Sequence, residues 1–446
     1  MAEPRSLFLR LPLELREHIY SYYFRPADRL DVSNFAGGLY RFEFDLLRVN
    51  KQVHLEAHNL WRRKFAYFVR LQTLWPNAVH HISNEGLVPI VAYGPRASNF
   101  KEHAFLLEVS SHQDPDQSEH PMIMLLDDIP QFAQTWFYSG LTYPGLNEAL
   151  NLKCTARNLE QRGTSSNILE DDEKSTIPLD MQKRLLLPFG KIKGLSGTQL
   201  AHFDKSVEDD LLTAMAAPYP PVHECFEECI TLIEKGDELL SITPRTIGTA
   251  RSALESFFAA FHAMHILIDG RKRRVLADAY FHENITEGRF KGQMGSAIRI
   301  ILRIRLVSRC VLAYLRMGEY GEAAFWGMRS VRIMSEQMSS EFDAFIADYI
   351  GSEDMGMINA RTAIAFTMLE SGAHEFGSKY AGIPGNERRE EWAEELESYE
   401  SEFPVNSEQL WVHTGRYLNS AAHKETRETV INEAKDFGVE IPEFIL

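Results

Sequence analysis

Cysteine is scarce, four residues in 446. That is too few for a disulfide scaffold and fits a reducing compartment. There is no uninterrupted apolar run. The best candidate, residues 297–315, is broken by Arg299, Arg303, Arg305 and Arg309, a charge load that a lipid-spanning helix does not carry. The first ten residues alternate charged and apolar groups without the apolar centre of a signal peptide. Positive charge is in deficit: 47 Lys+Arg against 63 Asp+Glu give −16, which disfavours nucleic acid as a partner. Catalytic signatures are missing too. There is no Gly-x-Ser-x-Gly, no phosphate-binding glycine loop and no dinucleotide fingerprint, and Gly288, Gly292 and Gly295 lack the spacing and the preceding strand. The expectation is an intracellular protein of cytoplasm or nucleus, not an enzyme, with no cofactor or metal and no membrane or nucleic-acid partner.

What is present begins at the N-terminus. Leu11-Pro12-Leu13-Glu14 opens a helix, because proline fits the first turn and the helix dipole favours an early acid. Leu11, Leu15, Ile19 and Tyr22/Tyr23 then form one apolar stripe. A second amphipathic helix spans residues 46–61, with Leu46, Val49, Val53, Ala57, Leu60 and Trp61 on one side. Between them, residues 25–45 hold Pro26, Gly37 and Gly38 and read as a long loop. From Phe65 the period changes. Strands are expected at residues 65–71, 88–93, 103–110, 122–126, 150–158 and 198–203. The polar residues 111–121 read as the loop of a hairpin between the third and fourth of these. The expected product is a mainly antiparallel sheet of four to six strands with one face under helices. Residues 161–177 read as an inserted flexible loop.

From Pro221 the chain reads as helical. Thr243-Pro244 looks like an N-cap with proline at the first helical position. Residues 308–317 and 320–334 pair across Gly318-Glu319, with later helices at 355–369 and 387–402. Nearly all the net charge lies at residues 336–446, where 23 Asp/Glu meet 8 Lys/Arg. The row Arg299, Arg303, Arg305 and Arg309 is a candidate salt-bridge partner for that end. The class is thus α+β in three parts: a helical segment at 1–64, an antiparallel region at 65–205 and a helical, repeat-like domain at 206–446.

The remaining constellations carry little chemistry. His54 and His58 stand four apart on a helix, a zinc-compatible spacing without a third ligand. Cys225 and Cys229, with His223 nearby, lack a second pair and read as small buried thiols, and Cys154 and Cys310 are remote and isolated. His262 and His265 sit in an aromatic run. Arg271-Lys272-Arg273-Arg274 reads as a nuclear import signal, a contact for an acidic partner, or a solvated turn after Asp269-Gly270.

Two resemblances add to this. Leu11-Pro12-Leu13-Glu14-Leu15-Arg16-Glu17-His18-Ile19-Tyr20, followed by Leu46-Leu47-Arg48-Val49-Asn50-Lys51-Gln52 and Glu56-Ala57, resembles the opening of filamentous-fungal F-box-like proteins. The resemblance covers about the first seventy residues. It implies that Leu11, Pro12, Leu15 and Ile19 contact a Skp-type adaptor of a cullin–RING ubiquitin ligase, while the remainder recognises a target. Arg16 departs from the pattern, since a true F-box has an apolar residue there. Tyr314, Gly318, Tyr320, Ala323 and Ser330 resemble the centre of a tetratricopeptide repeat, with a looser match at residues 232–237, Ala250 and Leu254. The expected function is therefore a non-enzymatic interaction module. The alternatives are a small-molecule binder or enzyme with a pocket between sheet and helices, and a scaffold with no ligase link.

Overall fold

At the centre of the first half lies a six-stranded sheet in the order β4-β6-β3-β5-β7-β8. The structure, a computed structural model, describes residues 7–111, 120–157, 177–338, 352–370 and 406–445. The expected loop at 161–177, all but its last residue, and the helix at 387–402 lie outside the described residues. The strands are β3 (Phe68–Thr73), β4 (Ala92–Tyr93), β5 (His103–Ser111), β6 (His120–Leu125), β7 (Leu150–Ala156) and β8 (Gly197–Ala201). Each falls on an expected segment. The pairs β3–β6, β4–β6 and β5–β7 are antiparallel, and β3–β5 and β7–β8 are parallel.

The expected β5–β6 hairpin is a correction, because β3 lies between those two strands. Val69 and Leu71 of β3 are fully buried, and both edges of that strand are taken by partners. A strand this apolar is stable in the middle of a sheet, where each backbone N–H and C=O finds a ladder.

Side-chain alternation divides the sheet into two cores. Val69, Leu71, Met122, Met124, Phe105 and Leu107 face helices α3 (Ile129–Thr142), α4 (Leu179–Leu186) and α5 (Lys205–Ala216). Phe68, Ile123 and Leu125 face the N-terminal helices α1 (Leu13–Tyr23) and α2 (Lys51–Lys64) through Tyr20, Phe24, Val53, Ala57, Leu60 and Trp61. Asn50 starts α2 by accepting from Val53 N at 2.9 Å. The turn Asp45–Arg48 before it is a separate 3-10 helix, so the stripe expected from residue 46 breaks there and Val49 is exposed. The segment expected as a loop carries a small antiparallel ribbon, β1 (Leu30–Asp31) on β2 (Leu39–Tyr40).

Two compact units divide the chain, Met1–Tyr219 and Pro220–Leu446. The second contains α6 (Val222–Ser241), α7 (Ile247–Ala263), the hairpin β9 (Ile266–Asp269) and β10 (Lys272–Val275), α8 (Gly295–Met317), α9 (Tyr320–Met338), α10 (Ser352–Glu370), α11 (Ser407–Leu418) and α12 (Lys424–Asp436). The class is α+β with a helical C-terminal half. Gly318 ends α8 at φ +76°, the left-handed conformation glycine adopts without strain, and frees the chain to reverse into α9. Gly236 lets α7 approach α6: a Cβ there would stand 2.2 Å from the Phe257 ring. The N-cap of α7 is Thr246, which shares a capping box with Thr249, so the expected start at Thr243-Pro244 is three residues early. No helix among the described residues is long and apolar enough to cross a membrane.

Candidate functional site

The two N-terminal motifs meet in one polar network. Arg16 donates to Glu56 through Nε (2.9 Å) and Nη2 (2.6 Å) and also to the Leu11 carbonyl. Tyr20 Oη and Gln52 Nε2 donate to the same carboxylate, each at 2.9 Å. The Arg16 guanidinium holds the Glu56 carboxyl down to about 2, below the usual carboxylate range. Burial, then the hydrogen bond to Glu56, pushes Tyr20 up to about 12. Arg16 is thus the inward link between α1 and α2.

That link fixes the rotation of α1. Arg16, Tyr20 and Phe24 recur every four residues and point inward, with Tyr20 at 0% and Phe24 at 1% exposure. The neighbouring face must then point out, and Leu15 (51%), Ile19 (44%) and Tyr22 (55%) are exposed. Pro12 is exposed as the N-cap of α1, Leu13 is exposed beside it and Leu11 is half-buried. Of the four expected partner-binding residues, Pro12, Leu15 and Ile19 are therefore free of the protein's own core. Tyr22 extends the row, with the His18 ring on its edge (centroids 4.9 Å apart) and the Arg25 guanidinium over its face at 5.3 Å. An ion pair of Glu17 with Arg63 at 3.0 Å flanks the patch. An apolar row bordered by aromatic and charged groups has the composition of a protein contact.

The other constellations resolve into structure. His54 Nδ1 bonds the Leu47 carbonyl at 2.8 Å, and its ring stacks on His58. No group of three or more potential metal ligands occurs among the described residues. All four cysteines are buried, and burial raises each thiol above its ordinary value, which disfavours the reactive thiolate. Burial and the Arg299 charge lower His265 to about 4, so it is a neutral core imidazole stacked on Tyr280. The basic run is a strand of a hairpin on α9 and not a solvated turn, since Arg271 pairs with Glu322 at 3.1 Å and lies over Phe325. Of the four arginines on α8, Arg305 pairs with the acidic end, at Asp354, while Arg299 takes Asp278 and Arg309 takes Asp237.

Sequence reasoning missed a Ser–His–Glu chain, because Ser139 lies on a different element from His81 and Glu85, which share one helical turn. His81 Nε2 is 3.0 Å from Ser139 Oγ, and its Nδ1 is 2.5 Å from Glu85 Oε2. A nucleophile built this way needs a sheltered base that receives the hydroxyl proton. Here the Ser139 hydroxyl donates to the Thr135 carbonyl of its own helix at 2.9 Å, and His81 and Glu85 are 46% and 59% exposed. The arrangement is a surface hydrogen-bond chain. A cleft of about 600 Å³ nearby is lined by Phe35, Val79, His80, Tyr93, His120 and Pro121, among others.

No protein-family model, curated protein or solved structure matches this chain.

Proposed function

We propose that this protein is a non-enzymatic interaction module whose helix α1 docks a partner protein through Leu15, Ile19 and Tyr22, with Pro12 and Leu11 at the patch edge. The partner implied by the F-box-like motifs is a Skp-type adaptor of a cullin–RING ubiquitin ligase. In that arrangement the helical half carries the target. One observation supports the reading above others: the inward face of α1 is held by Arg16, Tyr20 and Phe24, while its apolar neighbours stand in solvent. Burying side chains such as Leu15 and Ile19 in a contact stabilises by up to about 1.5–3 kcal/mol each, which gives the patch a function it lacks when bare.

The test compares the two faces. Leu15→Asp with Ile19→Asp should abolish co-purification with the adaptor and leave the thermal midpoint nearly unchanged, because exposed substitutions stay within about 0.5 kcal/mol. Tyr20→Ala should cost about 3–5 kcal/mol of stability, as loss of a fully buried ring does. If the double aspartate variant unfolds, or binds the adaptor as well as the parent, the docking reading is wrong. The cleft beside Phe35 and Tyr93 favours a second reading, a small-molecule site, but no paired acid and base lines it.

A further inference from the structure

In the helical unit, many arginines are matched with carboxylates. Arg271, Arg289, Arg299, Arg305, Arg309 and Arg361 pair with Glu322, Glu227, Asp278, Asp354, Asp237 and Glu433. Of the remaining arginines, three stand on adjoining elements. Arg273 on β10, Arg303 on α8 and Arg329 on α9 are half-buried, and none has an acidic partner among the described residues.

Their elements converge. On α8, Arg299 hydrogen-bonds the Met264, His265 and Leu276 carbonyls, which lie at the two roots of the β9–β10 hairpin. Arg303 follows one helical turn later on the same side. From α9, Arg329 Nη1 donates to the Arg271 carbonyl at 2.8 Å, two residues before Arg273 in the hairpin. We propose that this convergence of Arg273, Arg303 and Arg329 is a binding site for a small, soluble phosphate-bearing ligand.

The chemistry follows from the charges. Burial, then repulsion from Arg303 and Arg329, pulls Arg273 down to about 9. Burial and Arg329 also lower Arg303, with Asp278 opposing. Arg273 and Arg303 are thus repelled by their cationic neighbours, with no carboxylate ion pair among the described residues. An oxyanion removes that repulsion, and the planar guanidinium fork matches phosphate with two parallel N–H···O bonds. A partly sunken cluster suits a small ligand better than an extended polyanion. This site is separate from the α1 docking face and does not depend on it.

Calorimetric titration of the full chain with pyrophosphate, and in parallel with inorganic phosphate, tests the proposal. Pyrophosphate should bind saturably and raise the thermal midpoint. Arg303→Gln and Arg273→Gln should each weaken binding about tenfold or more. Without ligand, both variants should melt no lower than the parent, since each relieves like-charge crowding. Absence of saturable binding, or binding unchanged in both variants, would overturn the proposal. So would variants that melt well below the parent, because the arginines would then already be neutralised within the fold. Arg303-dependent sedimentation with phosphatidic acid vesicles, without pyrophosphate binding, would replace the soluble ligand by a lipid headgroup.

Discussion

Asp128, at the N-cap of α3, makes stability fall as pH rises from the acid range to neutral. Tyr40 Oη donates to its Oδ1 at 3.2 Å, and its Oδ2 is buried with no hydrogen-bond partner. Burial, with help from the Asp127 charge, raises its carboxyl from 3.8 to about 7. The folded state therefore holds a proton that the unfolded chain releases near pH 4. Its contribution is fully present below that pH and is lost as pH rises through about 7. Three pH units correspond to a ceiling of about 4 kcal/mol, and partial solvent access brings the expected change to roughly 1–3 kcal/mol. Asp128→Asn has nearly the same shape and no charge at any pH. Urea unfolding of both proteins at half-unit steps from pH 4.5 to 8.5 gives the difference in stability. That difference should climb in favour of asparagine up to neutral pH and then level off. A constant offset from the unmet amide donor leaves this slope intact. Parallel curves across the range would refute the argument, since Asp128 would then ionise alike in both states. Tyr40→Phe sharpens the test: losing the donor to Oδ1 should push the midpoint of the climb to higher pH.

Three further outcomes follow from the packing. The Arg361–Glu433 pair is buried (2.6 Å, both side chains about 10% exposed) and joins α10 to α12, so Glu433→Gln should cost about 3–5 kcal/mol in denaturant unfolding. Arg361→Met with Glu433→Leu should restore much of that loss, because no lone charge remains. Gly236→Ala should destabilise by about 1–3 kcal/mol against the usual gain for alanine in a helix, since the added Cβ meets the Phe257 ring; an unchanged or raised midpoint would contradict the close approach. Glu56→Gln should flatten the acid limb of stability: the parent's carboxylate contributes above about 4.5 and loses its contribution as pH falls through about 2, whereas glutamine has nothing to titrate.

Local pattern carried far along this chain. Every strand of the six-stranded sheet lies on a segment that alternation and β-branched or aromatic content mark out, and the α8–Gly318–α9 reversal follows its glycine. The stripe Leu11, Leu15, Ile19 was legible as apolar, but its outward direction was not. Its rotation is decided by Arg16, whose partner Glu56 stands forty residues away. The same limit applies to Asp128, which becomes unusual only because Tyr40 and the core close around it. The Ser139–His81 contact joins residues 58 apart, with no spacing to betray it.

The sequence by itself determined where the six strands of the main sheet and the α8–α9 pair lie, and that a sheet-bearing region gives way to a helical C-terminal half. Periodicity and capping are properties of neighbouring residues, so no distant partner is needed to read them. Only the tertiary structure decided that β3 separates β5 from β6, that α1 turns Tyr20 inward and Leu15 outward, and that Arg273, Arg303 and Arg329 stand on adjoining elements with no carboxylate pair among the described residues. Those outcomes depend on which backbone edge, carboxylate or core face arrives from far along the chain. Burial and charge pairing act through space, and a linear pattern does not record which distant residues meet.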